Sequence, residues 1–144
     1  MDLVEFLRAR LARDEQIARD CAGAAWATGP SGTIQTDPAA SDGPPRALGS
    51  ENAPGSEDTG PSYVATAENG AYAEHIARHD PARTLAAVAG LRQIVDDYEK
   101  HAWILGQGRA TPELEAAQAV REAVLRLLAL PYASHPAYRD EWRP

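Results

Sequence analysis

The stretch EHIARHDPAR, residues 74–83, decides how this chain folds, because one helix ends and another begins within it. Asp80 followed by Pro81 is typical of a helix start. The carboxylate accepts a hydrogen bond from an unpaired backbone N–H, and proline has no N–H to leave unpaired at the first helical position. The preceding helix is therefore predicted to end at His79. His75 lies four residues before His79, so both imidazoles share one helix face.

Two imidazoles on one face suggest a metal site, with His75 and His79 as candidate ligands. Zinc needs three or four ligands, so other side chains would have to complete the site. The candidates are Glu74, Asp80, His101 and His135. The His-Glu-x-x-His motif of zinc hydrolases is absent, because Ile76 follows His75. The alternative is structural, with His79 at a helix C-terminus and His75 packed on Tyr72. The pattern favours this structural alternative.

On both sides of this corner, apolar residues recur at helical spacing. A helix over residues 71–79 is predicted to turn Tyr72, Ile76 and His75 inward. The longest helix follows, from Asp80 to about Lys100, and Trp103-Ile104-Leu105 is predicted to be a buried anchor at its end.

The N-terminal helix is marked by Asp2 and Glu5, which resemble a capping box. This helix is predicted to end near Ala22, with Gly23 as its stop. Its apolar stripe is formed by Leu3, Phe6, Leu7, Leu11, Ile17 and Cys21. Because Cys21 falls on that stripe, we interpret it as a core residue.

Residues 29–61 have a different composition, with six of the eleven prolines, six of the eleven glycines and five acids against one arginine. Such a segment buries too little apolar area to offset its ordering entropy. We predict a flexible insertion within a single domain that spans residues 1–144. Short β-favouring runs lie at its margins and predict a small antiparallel sheet: Ala25–Thr28, Thr33–Thr36 and Ser62–Thr66.

The last helix is predicted to begin at Thr111-Pro112, which repeats the capping pattern of Asp80-Pro81. It becomes apolar nearly all round between Val124 and Leu130, so that end is predicted to be central to the core, buried either by the tail or by a second subunit. The tail is rich in aromatic residues, which we predict to pack back across the helices, with binding of a partner as the alternative: Tyr132, Tyr138 and Trp142.

Charge and composition limit the classes of function, partner and location that we expect. The 144 residues carry a formal charge of -7, which makes a nucleic-acid partner unlikely because phosphate would be repelled. Cys21 is the only cysteine, so no internal disulfide can form, and this fits a reducing cytoplasm. The acidic N-terminus and the lack of a long apolar run predict no membrane segment. No set of catalytic residues and no cofactor-binding motif is evident, and we expect no cofactor.

Two blocks of sequence carry a resemblance: residues 74–83, and residues 125–142, LRLLALPYASHPAYRDEW. With the N-terminus MDLVEFL, they resemble DUF6221, a domain-of-unknown-function family of small proteins from actinobacteria, notably Streptomyces, and their phages. The resemblance implies a source and no activity.

The sequence therefore predicts a mainly α protein of about four helices, α+β in the broad sense, with a small antiparallel β element between the first two helices. For function, we expect a non-enzymatic cytoplasmic accessory protein that binds a protein partner or its own copies. The alternative is a metal-binding protein centred on His75 and His79, with hydrolysis as the chemistry that a bound metal could support.

Overall fold

The computed structural model describes residues 1–22, 24–37, 61–108 and 110–144. The helices in this part of the chain are α1 (Leu3–Asp20), α2 (Gly70–Arg78), α3 (Pro81–Gly106) and α4 (Pro112–Ala129). One antiparallel sheet has the strand order β1 (Trp26–Thr28), β2 (Thr33–Thr36) and β3 (Tyr63–Thr66). Short 3-10 turns lie at Pro30–Gly32, Leu130–Tyr132 and Asp140–Trp142. The predicted fold class, mainly helical with a small sheet between the first two helices, is confirmed.

The chain forms two compact units. The helical unit consists of Met1–Gln16 and Ala86–Pro144, and the sheet unit is Ile17–Leu85. That residues 1–144 make a single domain stays a prediction. Most of the predicted flexible insertion, residues 38–60, lies outside the described residues, whereas its first part contains the Pro30–Gly32 turn and strand β2.

Helix α1 begins with the predicted capping box. The Asp2 carboxylate accepts a hydrogen bond from the Glu5 backbone N–H, and the Glu5 carboxylate accepts one from the Asp2 N–H, each at 2.9 Å. The helix ends at Asp20, two residues before the predicted end. The prediction that Cys21 is a core residue is wrong: it is exposed because it follows the last helical residue, in a turn where Ala22 has a φ of 60°. Gly23, the predicted stop, lies outside the described residues.

The core of the helical unit is built around side chains of α1, α3, α4 and the tail. Its buried members are Phe6, Leu7, Leu11, Val88, Val95, Leu125, Ala129 and Trp142. Ion pairs tie the outer sides of α1 and α3 together: Arg8 pairs with Asp96 and Glu99, and Arg92 pairs with Glu15. Exposed pairs of this kind each contribute little to stability. Burial of apolar side chains therefore holds this unit together.

In the sheet unit, helix α2 packs through small residues. Ala73 and Ala77 are buried, and Ile34 of β2 is fully buried. The prediction that Tyr72, Ile76 and His75 face inward is wrong, because all three are exposed. Both sets of residues are spaced for one face of a helix. The smaller side chains face inward because alanine lets a helix axis lie close to its neighbour.

The corner between α2 and α3 is built as predicted, with the helix end shifted by one residue. Helix α2 ends at Arg78, and His79 follows it as the cap. The Asp80 carboxylate accepts a hydrogen bond from the Arg83 N–H at 2.6 Å, and helix α3 starts at Pro81. The other carboxylate oxygen accepts the Trp26 N–H of β1 at 3.1 Å. Asp80 thus both caps α3 and holds β1 to the corner.

The end of α3 differs from the prediction. Residues 103–105 were predicted to be buried. This prediction is wrong for Trp103, which is 66% exposed, whereas Ile104 and Leu105 are half-buried. The start of α4 is confirmed, since the Thr111 hydroxyl accepts a hydrogen bond from the Leu114 N–H at 3.3 Å and Pro112 is the first helical residue. Within the described residues, no helix has both the length and the apolar character needed to cross a membrane.

Candidate functional site

The two predicted metal ligands lie together on the exposed side of α2. The rings of His75 and His79 have centroids 4.4 Å apart and planes inclined by 37°. The His79 Nδ1 lies 2.8 Å from the His75 carbonyl oxygen, so this nitrogen donates to the backbone and the opposite ring nitrogen faces away. His75 therefore packs against His79.

The other candidate ligands are engaged elsewhere. Glu74 pairs with Arg78 at 2.8 Å, and Asp80 is used as the cap of α3. His101 Nδ1 lies 2.8 Å from the Asp97 carbonyl oxygen, and His135 Nδ1 accepts the Ala137 N–H at 3.1 Å. Among the described residues, no three His, Cys, Asp or Glu side chains come together to hold a metal. The arrangement provides two imidazoles, and the metal site stays a prediction.

The predicted aromatic tail residues surround one ring of α1. Measured from the Phe6 ring centroid, the tail rings lie at 6.3 Å for Tyr132, 6.0 Å for Tyr138 and 5.0 Å for Trp142. Trp142 is 5% exposed, so its indole belongs to the core of the helical unit. The tail therefore packs back across the helices as predicted. A partner-binding role for these three residues stays a prediction, and little of Trp142 is accessible for it.

Tyr132 fastens the tail to α1 by a hydrogen bond. Its hydroxyl donates to the Asp14 carboxylate at 2.6 Å. Burial, and then the hydrogen bond to Asp14, raise the pKa of the Tyr132 phenol above its usual value. The folded chain thus favours the neutral phenol. This stabilisation is complete at pH values below the unfolded pKa of about 10 and is lost as the pH rises through the raised folded value.

We expect Tyr132→Phe to lower the free energy of unfolding by about 1–2 kcal/mol at pH 7, because the Asp14 carboxylate loses a donor. The difference between the original protein and the variant should shrink above pH 10. Urea unfolding followed by circular dichroism at pH 7 and pH 10.5 measures both quantities. Tyr72→Phe is the matched control, because this ring is exposed. A difference that stays constant to pH 10.5 would show that the folded chain does not raise the pKa of the Tyr132 phenol.

The side of α4 opposite the core is apolar and exposed. We call it the outward face of α4; it consists of Ala116, Ala119, Val120, Ala123, Leu127 and Leu130, the last of which begins the turn after the helix. Val120 is 65% exposed, Leu127 53% and Leu130 42%. On the other side of the same helix, Leu125 and Ala129 are fully buried. Helix α4 is therefore apolar on two opposite sides, a pattern typical of a helix with partners on both.

The charged residues of this segment, Arg121, Glu122 and Arg126, lie off the outward face and are in ion pairs. Arg121 donates to Asp97 at 2.8 Å, and this hydrogen bond lowers the pKa of the Asp97 carboxyl. Arg126 donates to Glu122 at 2.7 Å, one turn earlier on α4. Between residues 116 and 130, the outward face itself carries no charged side chain. A partner could cover it without desolvating an unpaired charge.

A groove of 510 Å³ lies on another side of the helical unit, next to the start of α1. Its lining residues include Asp2, Tyr98, Glu122, Arg126 and Glu141. Each charge among them already has a partner: Asp2 caps α1, Arg126 pairs with Glu122, and Glu141 accepts a hydrogen bond from Arg139. Burial, and then the Glu122 charge, raise the pKa of Tyr98. The groove holds carboxylates engaged in structural contacts and no arrangement of nucleophile and base.

The sequence predicted that the end of α4, Val124 to Leu130, is central to the core, and it did not separate the outward face, where Leu127 and Leu130 are exposed, from the buried side with Leu125 and Ala129. The signal was present. Ala116, Val120, Ala123, Leu127 and Leu130 follow steps of four and three residues, which is the spacing of a helix–helix contact seam. A second such stripe, on the side that carries Leu125 and Ala129, faces the core. A helix with two apolar stripes is expected to pack against one partner on each side.

The fold and these surfaces define a class: a small, mainly helical α+β protein with an exposed apolar helix face. The chain belongs to DUF6221, a family of unknown function, whose family model matches residues 1–144. Searches of curated proteins and of solved structures found no match.

Proposed function

We propose that this chain is a non-enzymatic interaction protein that binds a protein partner through the outward face of α4. The observation that supports this proposal is the exposure of Val120 and Leu127 on a face that carries no charge over four turns. Charged residues are normally enriched on the solvent side of a surface helix, and contiguous apolar patches mark binding sites. The helix fits a role in which a partner covers this side.

The size of the face indicates the strength of binding. Burying a fully exposed Leu or Val side chain contributes about 1.5–3 kcal/mol, and these side chains are about half exposed, so each contributes about 1 kcal/mol. The association itself costs translational and rotational freedom. The outward face of α4 alone therefore supports a transient contact.

The proposal also covers the kind of partner, the cellular compartment and the source of the protein. A net charge of -7 argues against nucleic acid as the partner, and the lone Cys21 fits a reducing cytoplasm. An actinobacterial or phage source is what the family resemblance implies. We therefore propose a cytoplasmic accessory protein that acts by contact with another polypeptide.

Affinity capture from host lysate with matched variants tests this function. Leu127→Arg places a charge at the centre of the outward face, and Ile94→Arg places the same charge at an exposed apolar position on α3. We expect Leu127→Arg to lose more than about 90% of a captured partner and Ile94→Arg to retain it, since a charge buried without a counterion costs several kcal/mol. Equal capture by both variants would contradict the proposal.

The second candidate function is metal binding at His75 and His79, favoured by the 4.4 Å separation of their exposed rings. Two imidazoles would need one or two more ligands from a partner or from water. Metal analysis of the purified protein beside the His75→Ala, His79→Ala double variant tests it. Bound zinc that disappears in the double variant would support this candidate, and equal metal contents would end it.

A further inference from the structure

We propose that His75 and His79 form a two-imidazole chelate for a late first-row divalent metal ion, with Cu²⁺ bound most tightly and water in the remaining positions. The inference rests on the second candidate function, since it takes the same pair as ligands, and it specifies the donor atom, the class of metal and the effect of binding. Both side chains are exposed on α2 or at its end, so a hydrated ion reaches them without any opening of the fold.

The donor atom of His79 is set by a hydrogen bond. Its Nδ1 lies 2.8 Å from the His75 carbonyl oxygen, which can only accept, so Nδ1 carries the proton. The lone pair of the neutral ring is then on Nε2, and this nitrogen remains for a metal. Histidines that bind metals commonly donate their other ring N–H to a backbone carbonyl or a carboxylate, which fixes the tautomer and the ring. His79 therefore has the tautomer of a metal ligand, and the carbonyl that fixes it belongs to the second ligand.

The spacing of the two rings suits a single ion. Nitrogen ligands lie about 2.0–2.1 Å from the metal, so two nitrogens in adjacent positions are about 3 Å apart. The rings of His75 and His79 have centroids 4.4 Å apart and planes inclined by 37°. Because the outer torsion of a histidine side chain is soft, rotation of the exposed His75 ring brings one of its nitrogens to that separation from His79 Nε2. The one-turn spacing thus provides a bidentate site.

His101 has the same local hydrogen bond as His79 but no nitrogen left for a metal. Its Nδ1 also lies 2.8 Å from the carbonyl oxygen four residues earlier, that of Asp97. Its Nε2 lies 3.2 Å from a terminal nitrogen of Arg121, which can only donate, so the guanidinium occupies the lone pair. In the described part of the chain, no such donor lies at His79 Nε2. The pair on α2 is therefore the place where imidazole lone pairs are available together.

The available ligands indicate the class of metal. The neighbouring carboxylates are engaged, Glu74 with Arg78 at 2.8 Å and Asp80 with two backbone N–H groups. Ca²⁺ and Mg²⁺ take oxygen ligands, and a structural zinc site takes four protein ligands; the described residues bring neither set together at this pair. Imidazoles suit Cu²⁺, Ni²⁺ and Zn²⁺, and of these ions Cu²⁺ binds a given site most tightly. Two imidazoles with bound water therefore favour Cu²⁺.

Binding of the ion is expected to stabilise the end of α2. His75 lies in the last turn of this helix, and His79 is the cap that follows it. An ion held by both rings requires the helical turn between them, so it binds the folded chain more tightly than the unfolded chain. A ligand with this preference raises the unfolding temperature by mass action. We therefore expect saturating Cu²⁺ to raise the unfolding temperature only where both histidines are present.

Calorimetric titration of the full chain with Cu²⁺ at neutral pH tests the chelate. Cys21 is first replaced by serine, because its exposed thiol would itself bind the ion. The second imidazole of a chelate acts at a high effective concentration, so either His75→Ala or His79→Ala is expected to weaken binding at least about tenfold. His101→Ala is the matched control, since Arg121 occupies its Nε2, and it should leave the affinity unchanged.

Binding that neither His75→Ala nor His79→Ala weakens overturns the chelate, and so does a loss of the same size in His101→Ala. Circular dichroism of the variants confirms that the helices are retained. Metal analysis of the purified protein reports separately on the second candidate function. A chain that is purified without metal but binds Cu²⁺ through both histidines ends that function and leaves the chelate standing. Leu127→Arg is expected to bind Cu²⁺ as the original protein does, so the proposed contact at α4 is tested independently.

Discussion

Phe6→Ala is expected to lower the free energy of unfolding by about 3–5 kcal/mol, the largest loss that we anticipate for a single side chain. The Phe6 ring is fully buried, and the Tyr132, Tyr138 and Trp142 rings lie with centroids within 6.3 Å of it. Removing the ring takes away its own burial energy and leaves a cavity among rings that cannot all close it. Urea unfolding followed by circular dichroism measures the loss.

Tyr72→Ala provides the matched control for Phe6. It removes another aromatic ring, but Tyr72 is 56% exposed, so the expected cost is below about 1 kcal/mol. A loss for Phe6→Ala no larger than that for Tyr72→Ala would show that the tail does not depend on the α1 ring. Another side chain would then contribute most to the packing of the core of the helical unit.

Asp80→Ala is expected to cost about 1.5–5 kcal/mol, because one carboxylate serves two backbone donors. Loss of the helix cap costs about 0.5–2 kcal/mol. Loss of the acceptor for the half-buried Trp26 N–H adds about 1–3 kcal/mol. Both hydrogen bonds lie in the sheet unit, at 2.6 Å from the Arg83 N–H and 3.1 Å from the Trp26 N–H. Urea unfolding gives the total, and hydrogen exchange at the Trp26 amide reports the second contact alone.

Thr111→Ala is the control for Asp80, since the Thr111 hydroxyl caps α4 in the helical unit. We expect a cost of about 1 kcal/mol and unchanged exchange at Trp26. If Asp80→Ala costs no more than Thr111→Ala, and Trp26 exchanges as before, then the link from the corner to β1 is not formed in solution.

The starts of the helices and the bounds of the strands were predictable from the sequence. Asp2 with Glu5, Asp80 with Pro81 and Thr111 with Pro112 each start a helix as predicted, because a cap involves residues within three or four positions of each other. The three strands were also found at nearly their predicted bounds, since β-favouring residues lie between turn-forming residues.

The inward side of each helix was less predictable. Helix α2 carries Tyr72 and Ile76 on one face and Ala73 and Ala77 on an adjacent face. The larger side chains were predicted to be buried, whereas the two alanines are the buried pair. The prediction that Trp103 is buried was wrong for the same reason. A large apolar residue is buried only where another element packs against it. The candidate site shows the same limit, because the apolar residues of α4 form two stripes and the sequence does not say which one the core covers.

The sequence by itself determined where helices and strands begin, the antiparallel character of the sheet, and the packing of the aromatic tail back across the helices. These features follow from hydrogen bonds between near neighbours and from the burial of large rings. Only the tertiary structure decided that Asp80 also binds the Trp26 N–H, that His75 packs against His79, and that the outward face of α4 stays uncovered. Those outcomes depend on which surfaces meet, and residues far apart in the chain settle that.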